Sequence, residues 1–175
     1  MRIGVDLDNT IFCTDEQYKK YQKEYILKNN ITEEELWSNK DNRLDFIRNN
    51  FGKIFSDVKL KSNCLDVLNE LKEKGNEIFI ITARSNEYCD YMYKFTKNSL
   101  DKNNVPCDKL ILTEKHKLSA CLENKIDIMI DDSEYIIDEL KDQVRYLLFD
   151  DKNKYPNYKY KVTNWNEIKK IIGGD

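Results

Sequence analysis

Five short apolar runs constrain this chain's fold more than any other feature: Ile3–Val5, Glu77–Ile81 (EIFII), Lys109–Leu112 (KLIL), Ile126–Ile130 (IDIMI) and Arg145–Phe149 (RYLLF). Most are near-continuously apolar, the pattern of strands buried on both faces. Segments of helical periodicity separate them. Asn63 caps a helix carrying Leu65, Leu68 and Leu71, which Gly75 stops. Ser85 or Asn86 opens a long helix with Tyr88, Tyr91, Met92 and Phe95. Lys117–Asn124 and Tyr135–Asp142 read as shorter helices, and Trp165–Ile172 as a closing one. The alternation predicts an α/β chain: a Rossmann-like parallel sheet of about five strands with helices on both faces. Right-handed crossovers then bring the C-terminal strand ends to one edge, where ligands bind in open α/β sheets.

The stretch from Cys13 to Lys61 breaks this rhythm, with no convincing strand. Thr14 can cap a helix running to Asn29, with Tyr18, Tyr21, Tyr25 and Ile26 at helical spacing. Thr32 and Glu35 form a capping-box pattern before Leu36 and Trp37. Leu44, Phe46, Ile47 and Phe51 suggest a third helix ended by Gly52. About fifty residues is too long for a plain loop. The chain therefore divides into a core of residues 1–12 and 62–175 and a helical insert of residues 13–61. Its aromatics, at helical spacing, are expected to pack with one another. Phe12 is the exception, expected to line a pocket because it follows the first motif.

The strand ends carry the chemistry. Asp6 and Asp8 follow the first run, and residues two apart on a strand point to one side. The plain reading is a solvated strand end with an Asx-turn at Asp8 or Asn9. Against it, the other strand ends are also polar: Thr82, Ala83 and Arg84 after the second, Lys115 and Lys117 after the third, Asp131 and Asp132 at the fourth. Carboxylates gathered from two strand ends suit a hard cation, above all Mg²⁺. A Thr hydroxyl, free amides at a helix start and a lysine suit phosphate. The Asp150–Lys154 run reads as a solvated loop.

These residues resemble a family. Asp6-Leu-Asp8-Asn-Thr10, Ile80-Ile-Thr82, a lysine and Ile130-Asp131-Asp132 are similar, in order and spacing, to the four motifs of the haloacid dehalogenase-like (HAD) phosphohydrolases. The likeness runs from Met1 to about Phe149, and the insert falls where that superfamily carries a small all-helical C1-type cap. Within it, the chain most resembles the 5'(3')-deoxyribonucleotidase and 5'-nucleotidase type C group. The resemblance implies an aspartyl-phosphate mechanism. Asp6 is then the nucleophile and Asp8 the acid and base. Asp6, the Asp8 carbonyl and Asp131 hold Mg²⁺, and Asp132 holds a metal-bound water or orients the lysine. Thr82 and the amides of Ala83 and Arg84 bind the phosphoryl oxygens. Lys117, which leads the short helix, is the first choice for the lysine and Lys115 the second. The Arg84 side chain either clamps a phosphate oxygen or faces solvent. His116 receives no role.

The substrate this implies is a nucleoside monophosphate or similar small phosphate ester. A sugar phosphate or other phosphorylated metabolite is the alternative. A mutase, or a non-catalytic phosphate-binding module, is a more distant reading. Lys+Arg 29 against Asp+Glu 32 leaves no basic surface for stable nucleic-acid binding. The five cysteines include no CxxC pair and there is a single histidine, which argues against zinc and for reduced thiols. With no signal-like N-terminus and no membrane-length apolar run, the chain is expected in the cytoplasm, apart from membranes.

Overall fold

The structure is a computed structural model describing residues 1–56 and 58–174. Asp57 and Asp175, inside the ranges given above, lie outside the described residues. One parallel sheet is formed by β1 (Arg2–Val5), β2 (Glu77–Thr82), β3 (Lys109–Leu112), β4 (Ile128–Asp131), β5 (Arg145–Phe149) and β6 (Lys161–Val162), in the order β3-β2-β1-β4-β5-β6. The sixth strand was not expected. Two residues are too few to show a pattern, and β6 is defined only by pairing beside Leu148 and Phe149. Around the sheet lie α1 (Asp15–Asn29), α2 (Glu33–Ser38), α3 (Lys40–Phe55), α4 (Cys64–Glu73), α5 (Met92–Lys102), α6 (Leu118–Glu123), α7 (Glu134–Leu140) and α8 (Trp165–Gly173).

Strand alternation sorts the core into two layers. Ile3, Val5, Ile78, Ile80, Ile128 and Ile130 face Leu68 and Leu71 of α4 and Trp165 and Ile168 of α8. Phe79, Ile81 and Met129 face Cys121 of α6 and Ile136 and Leu140 of α7. Gly4 belongs to the second layer. A Cβ there would lie 2.7 Å from Met129 Sδ and 3.0 Å from Ile126 Cγ2, so a larger residue requires the Met129 side chain to move.

Helices α1–α3 build a third cluster around Leu36, Phe46, Ile47 and Ile54, against which Tyr18, Tyr21, Tyr25 and Trp37 pack. Their chain connections run side by side: Cys13 N donates to Lys59 O at 2.8 Å and Lys61 N to Ile11 O at 2.8 Å. Phe12 sits between these bonds, fully buried in the main core. It packs there and, contrary to expectation, is not among the residues lining the cleft at the strand ends, its backbone pairing with Leu60.

The helix ends differ from the sequence reading in four places. Thr14 precedes α1, but the cap is supplied by Asn9, whose Oδ1 accepts from Asp15 N at 2.9 Å and Thr14 Oγ1 at 3.1 Å. Asn63 takes a left-handed conformation and makes no side-chain cap bond. Helix α3 runs through Gly52 to Phe55, because Ile54 and Phe55 continue its buried stripe. Helix α5 begins only at Met92, since Glu87 O and Tyr88 O accept from Arg48 of α3 at 3.1 and 3.0 Å. The Thr32–Glu35 capping box forms as expected. The Asp150 run is no solvated loop at its start: Asp150 is buried and accepts from Lys154 N at 2.7 Å and Tyr155 N at 2.8 Å. No described helix is long and apolar enough to cross a membrane, and the described cysteines are free thiols.

Candidate active site

The sheet order reverses beside β1, which lies between β2 and β4. Such a switch point opens a crevice at the C-terminal strand ends. Asp6 leaves β1 there, its amide donating to Ile130 O of β4 at 2.9 Å. Asp131 ends β4 and Thr82 ends β2. Lys117 comes from the start of α6 and joins the two acidic strand ends. Its Nζ donates to Asp6 Oδ1 and, at 2.7 Å, to Asp131 Oδ2. Asp131 Oδ1 accepts from Ser133 N at 2.9 Å, which fixes the carboxylate's second oxygen.

One oxygen from each of Asp6, Asp131 and Asp132 lies within 4.8 Å of the others. Three carboxylates here face one ammonium. Burial pushes Asp6 up to about 7 against the pull of Lys117, with Asp131 and Asp8 adding to the rise. Burial raises Asp132 as well, reinforced by Asp6 and Asp131. Burial alone would lower Lys117, but the charges of Asp131 and Asp6 outweigh it and raise the ammonium's pKa. The site thus holds more negative charge than its lysine balances, and its donors are all oxygen. That chemistry fits a divalent hard cation.

The remaining expected residues divide. Asp8, Thr82 and Ala83 line a cleft of about 760 Å³ with Asp6, Lys117, Asp131 and Asp132. The Arg84 side chain does not line it and does not face solvent. It is 2% exposed and donates Nε to Asp8 Oδ2 at 2.8 Å and Nη2 to Asp8 Oδ1 at 2.7 Å. Lys115 is exposed on the rim, its Nζ 4.8 Å from the centre of the Tyr135 ring. His116 does not line the cleft; its ring is tilted 57° to that of Tyr135, whose Oη lies 2.9 Å from Nδ1.

Sequence reasoning missed the far wall of the cleft, where Arg43, Glu87, Tyr88, Glu114 and Tyr135 lie. Tyr135 was findable, three residues past Asp132 at a helix start. Arg43 and Tyr88 were not, since only packing of α3 over the 83–91 turns brings them there. Glu139 of α7 was missed as well. It accepts from Leu118 N at 3.3 Å and Lys117 N at 3.4 Å, satisfying the open end of α6.

A switch-point sheet bearing this acidic, lysine-bridged cleft under a helical insert is the architecture of HAD-type hydrolases. Solved structures agree on the fold. A predicted phosphatase from Clostridium acetobutylicum superposes with a TM-score of 0.71 at 19% identity, covering 99% of this chain and 98% of that one. A haloacid dehalogenase-like family hydrolase from Streptococcus pneumoniae gives 0.68 at 14% identity, covering 95% of each chain. The HAD-hydrolase YfnB from Bacillus subtilis, in a form bound to magnesium, gives 0.65 at 12%, covering 98% and 97%. No curated protein sequence matches the chain. A family model does, over residues 1–173: the chain belongs to the 5' nucleotidase, deoxy (pyrimidine), cytosolic type C (NT5C) family, and is a hydrolase of the phosphatase and nucleotidase class.

Proposed function

We propose that the chain is a Mg²⁺-dependent phosphomonoester hydrolase that dephosphorylates a nucleoside monophosphate or similar small ester through an aspartyl phosphate on Asp6. The observation that carries this reading is Lys117 bridging Asp6 and Asp131 beside Asp132 at the switch point. In it, Asp6, Asp131 and the Asp8 carbonyl would hold the cation, with Asp132 beside them as a ligand through water. Bound Mg²⁺ supplies charge compensation between the anionic nucleophile and the anionic phosphate.

Asp6 attacks phosphorus as the bond to the ester oxygen breaks, and Asp8 gives that oxygen its proton. Asp8 then takes a proton from the water that cleaves the intermediate, which restores both carboxyl groups. The Thr82 hydroxyl and Ala83 amide bind the transferring oxygens, and Lys117 neutralises charge that builds on them. The insert of residues 13–61 serves as the cap that shields these steps from bulk water. Tyr88 and Tyr135 on the far wall suit a planar base, and the family supports a nucleotide substrate.

A screen of nucleoside monophosphates against sugar phosphates and other esters, with Mg²⁺ or with a chelator, tests the proposal. It predicts metal-dependent release of phosphate with nucleotides preferred. Turnover unaffected by the chelator, or confined to sugar phosphates, would contradict it.

A further inference from the structure

We propose that Arg84, braced by Phe55, positions Asp8 for proton transfer; the proposal rests on the phosphatase reading above. The guanidinium grips both Asp8 oxygens in a fork, at 2.8 and 2.7 Å. A fork fixes the plane of a carboxylate, which a single point contact does not. The exposures show which partner serves the other. The Asp8 side chain is 26% exposed and faces the cleft, whereas Arg84 is 2% exposed and lies behind it.

The ring of Phe55, at the end of α3, closes the site from the far side, its centre 4.1 Å from Arg84 Cζ. Among the described residues Arg84 Nη1 has no hydrogen-bond partner, and the fork and the ring hold the group. Burying a guanidinium is costly unless it is paired, and here the pairing goes to Asp8. Arg84 does not line the cleft and acts only through Asp8, whose two oxygens it holds. It fixes the plane in which the Asp8 carboxyl meets the leaving oxygen, the transferable proton sitting on the lone pair that the fork leaves free, and through Phe55 that plane depends on the seating of the helical insert.

Leaving-group dependence tests this. Wild type, Arg84→Met, Arg84→Lys and Phe55→Leu, each checked for folding by near-UV circular dichroism, are assayed on p-nitrophenyl phosphate and on a nucleoside 5'-monophosphate. The ratio kcat/KM covers only steps up to phosphoryl transfer onto Asp6. Nitrophenolate departs without a proton, whereas the sugar alkoxide needs one. Positioning predicts that Arg84→Met lowers kcat/KM roughly 100-fold more for the nucleotide than for the aryl ester. Arg84→Lys, which keeps the charge and loses the fork, keeps most of that bias. Phe55→Leu shows a smaller bias in the same direction.

Equal losses on the two esters, a raised KM with intact kcat, or full rescue by lysine would overturn the positioning role. An unbiased Phe55→Leu would remove the part given to the ring. Wild type run alongside separates the two levels: no turnover of either ester overturns the phosphatase reading together with this one, while normal turnover with unbiased variants overturns this one alone.

Discussion

Lys117 reaches both strand-end carboxylates with 3% of its side chain exposed, while Lys115, two residues earlier, lies over Tyr135 on the rim. Position at the helix start favoured Lys117 in the sequence, and the turn before α6 is what points it inward and leaves Lys115 on the rim. Charge stabilisation of a transition state in a dry site is large. Lys117→Met is therefore expected to lower kcat on p-nitrophenyl phosphate by roughly 100-fold or more, and Lys115→Met by less than about threefold. Steady-state kinetics of the two variants checks this, and equal effects would contradict it.

Asp108 offers a test away from the site. Its carboxylate accepts from Lys72 Nζ at 2.7 and 2.8 Å and from Ile78 N at 2.6 Å, tying the entry of β3 to β2. Burial alone would raise its pKa, but the Lys72 and Ile78 hydrogen bonds and the Lys72 charge outweigh that and hold it below the usual carboxylate range. A depressed folded pKa contributes stability that is fully present above the unfolded value and is lost as pH falls through the folded one. Urea denaturation should show Asp108→Asn less stable than wild type at neutral pH, with the gap narrowing below about pH 4. A gap constant with pH would contradict the assignment.

At the scale of elements, five strands and the motif residues at their ends were legible, because buried parallel strands leave continuous apolar runs. Elements defined by partners were not. β6 exists only as two residues beside β5. The start of α5 was misplaced because Arg48, from a distant helix, satisfies carbonyls that a local helix would have bonded. Asn9 looked like a local turn residue and instead caps α1, linking the first motif directly to the insert. Phe12 looked like a pocket residue and is core. Gly4 gives an element-scale prediction. Gly4→Ala forces its methyl against Met129 and Ile126 and should cost about 1–3 kcal/mol of stability, measured by thermal or chemical denaturation. A neutral effect would show that the Met129 side chain gives way without loss.

For the whole molecule, the fold brings together what the sequence scatters. Asp6, Thr82, Lys117 and Asp131 come from four elements and meet only because crossovers place the strand ends on one edge and the strand order reverses at β1. Trp165 of α8 supports this edge from below, donating Nε1 to Thr10 O at 3.0 Å. The acidic half of the site was legible because carboxylates at strand ends leave a distinct pattern. The lining from Arg43 was not, since that residue reaches the cleft only through packing of the insert. The central claim is covalent catalysis by Asp6. The most direct measurement is kcat of Asp6→Asn on p-nitrophenyl phosphate with Mg²⁺, in protein shown to be folded. The account predicts a loss of roughly 10⁴-fold or more, and turnover within about tenfold of wild type would contradict it.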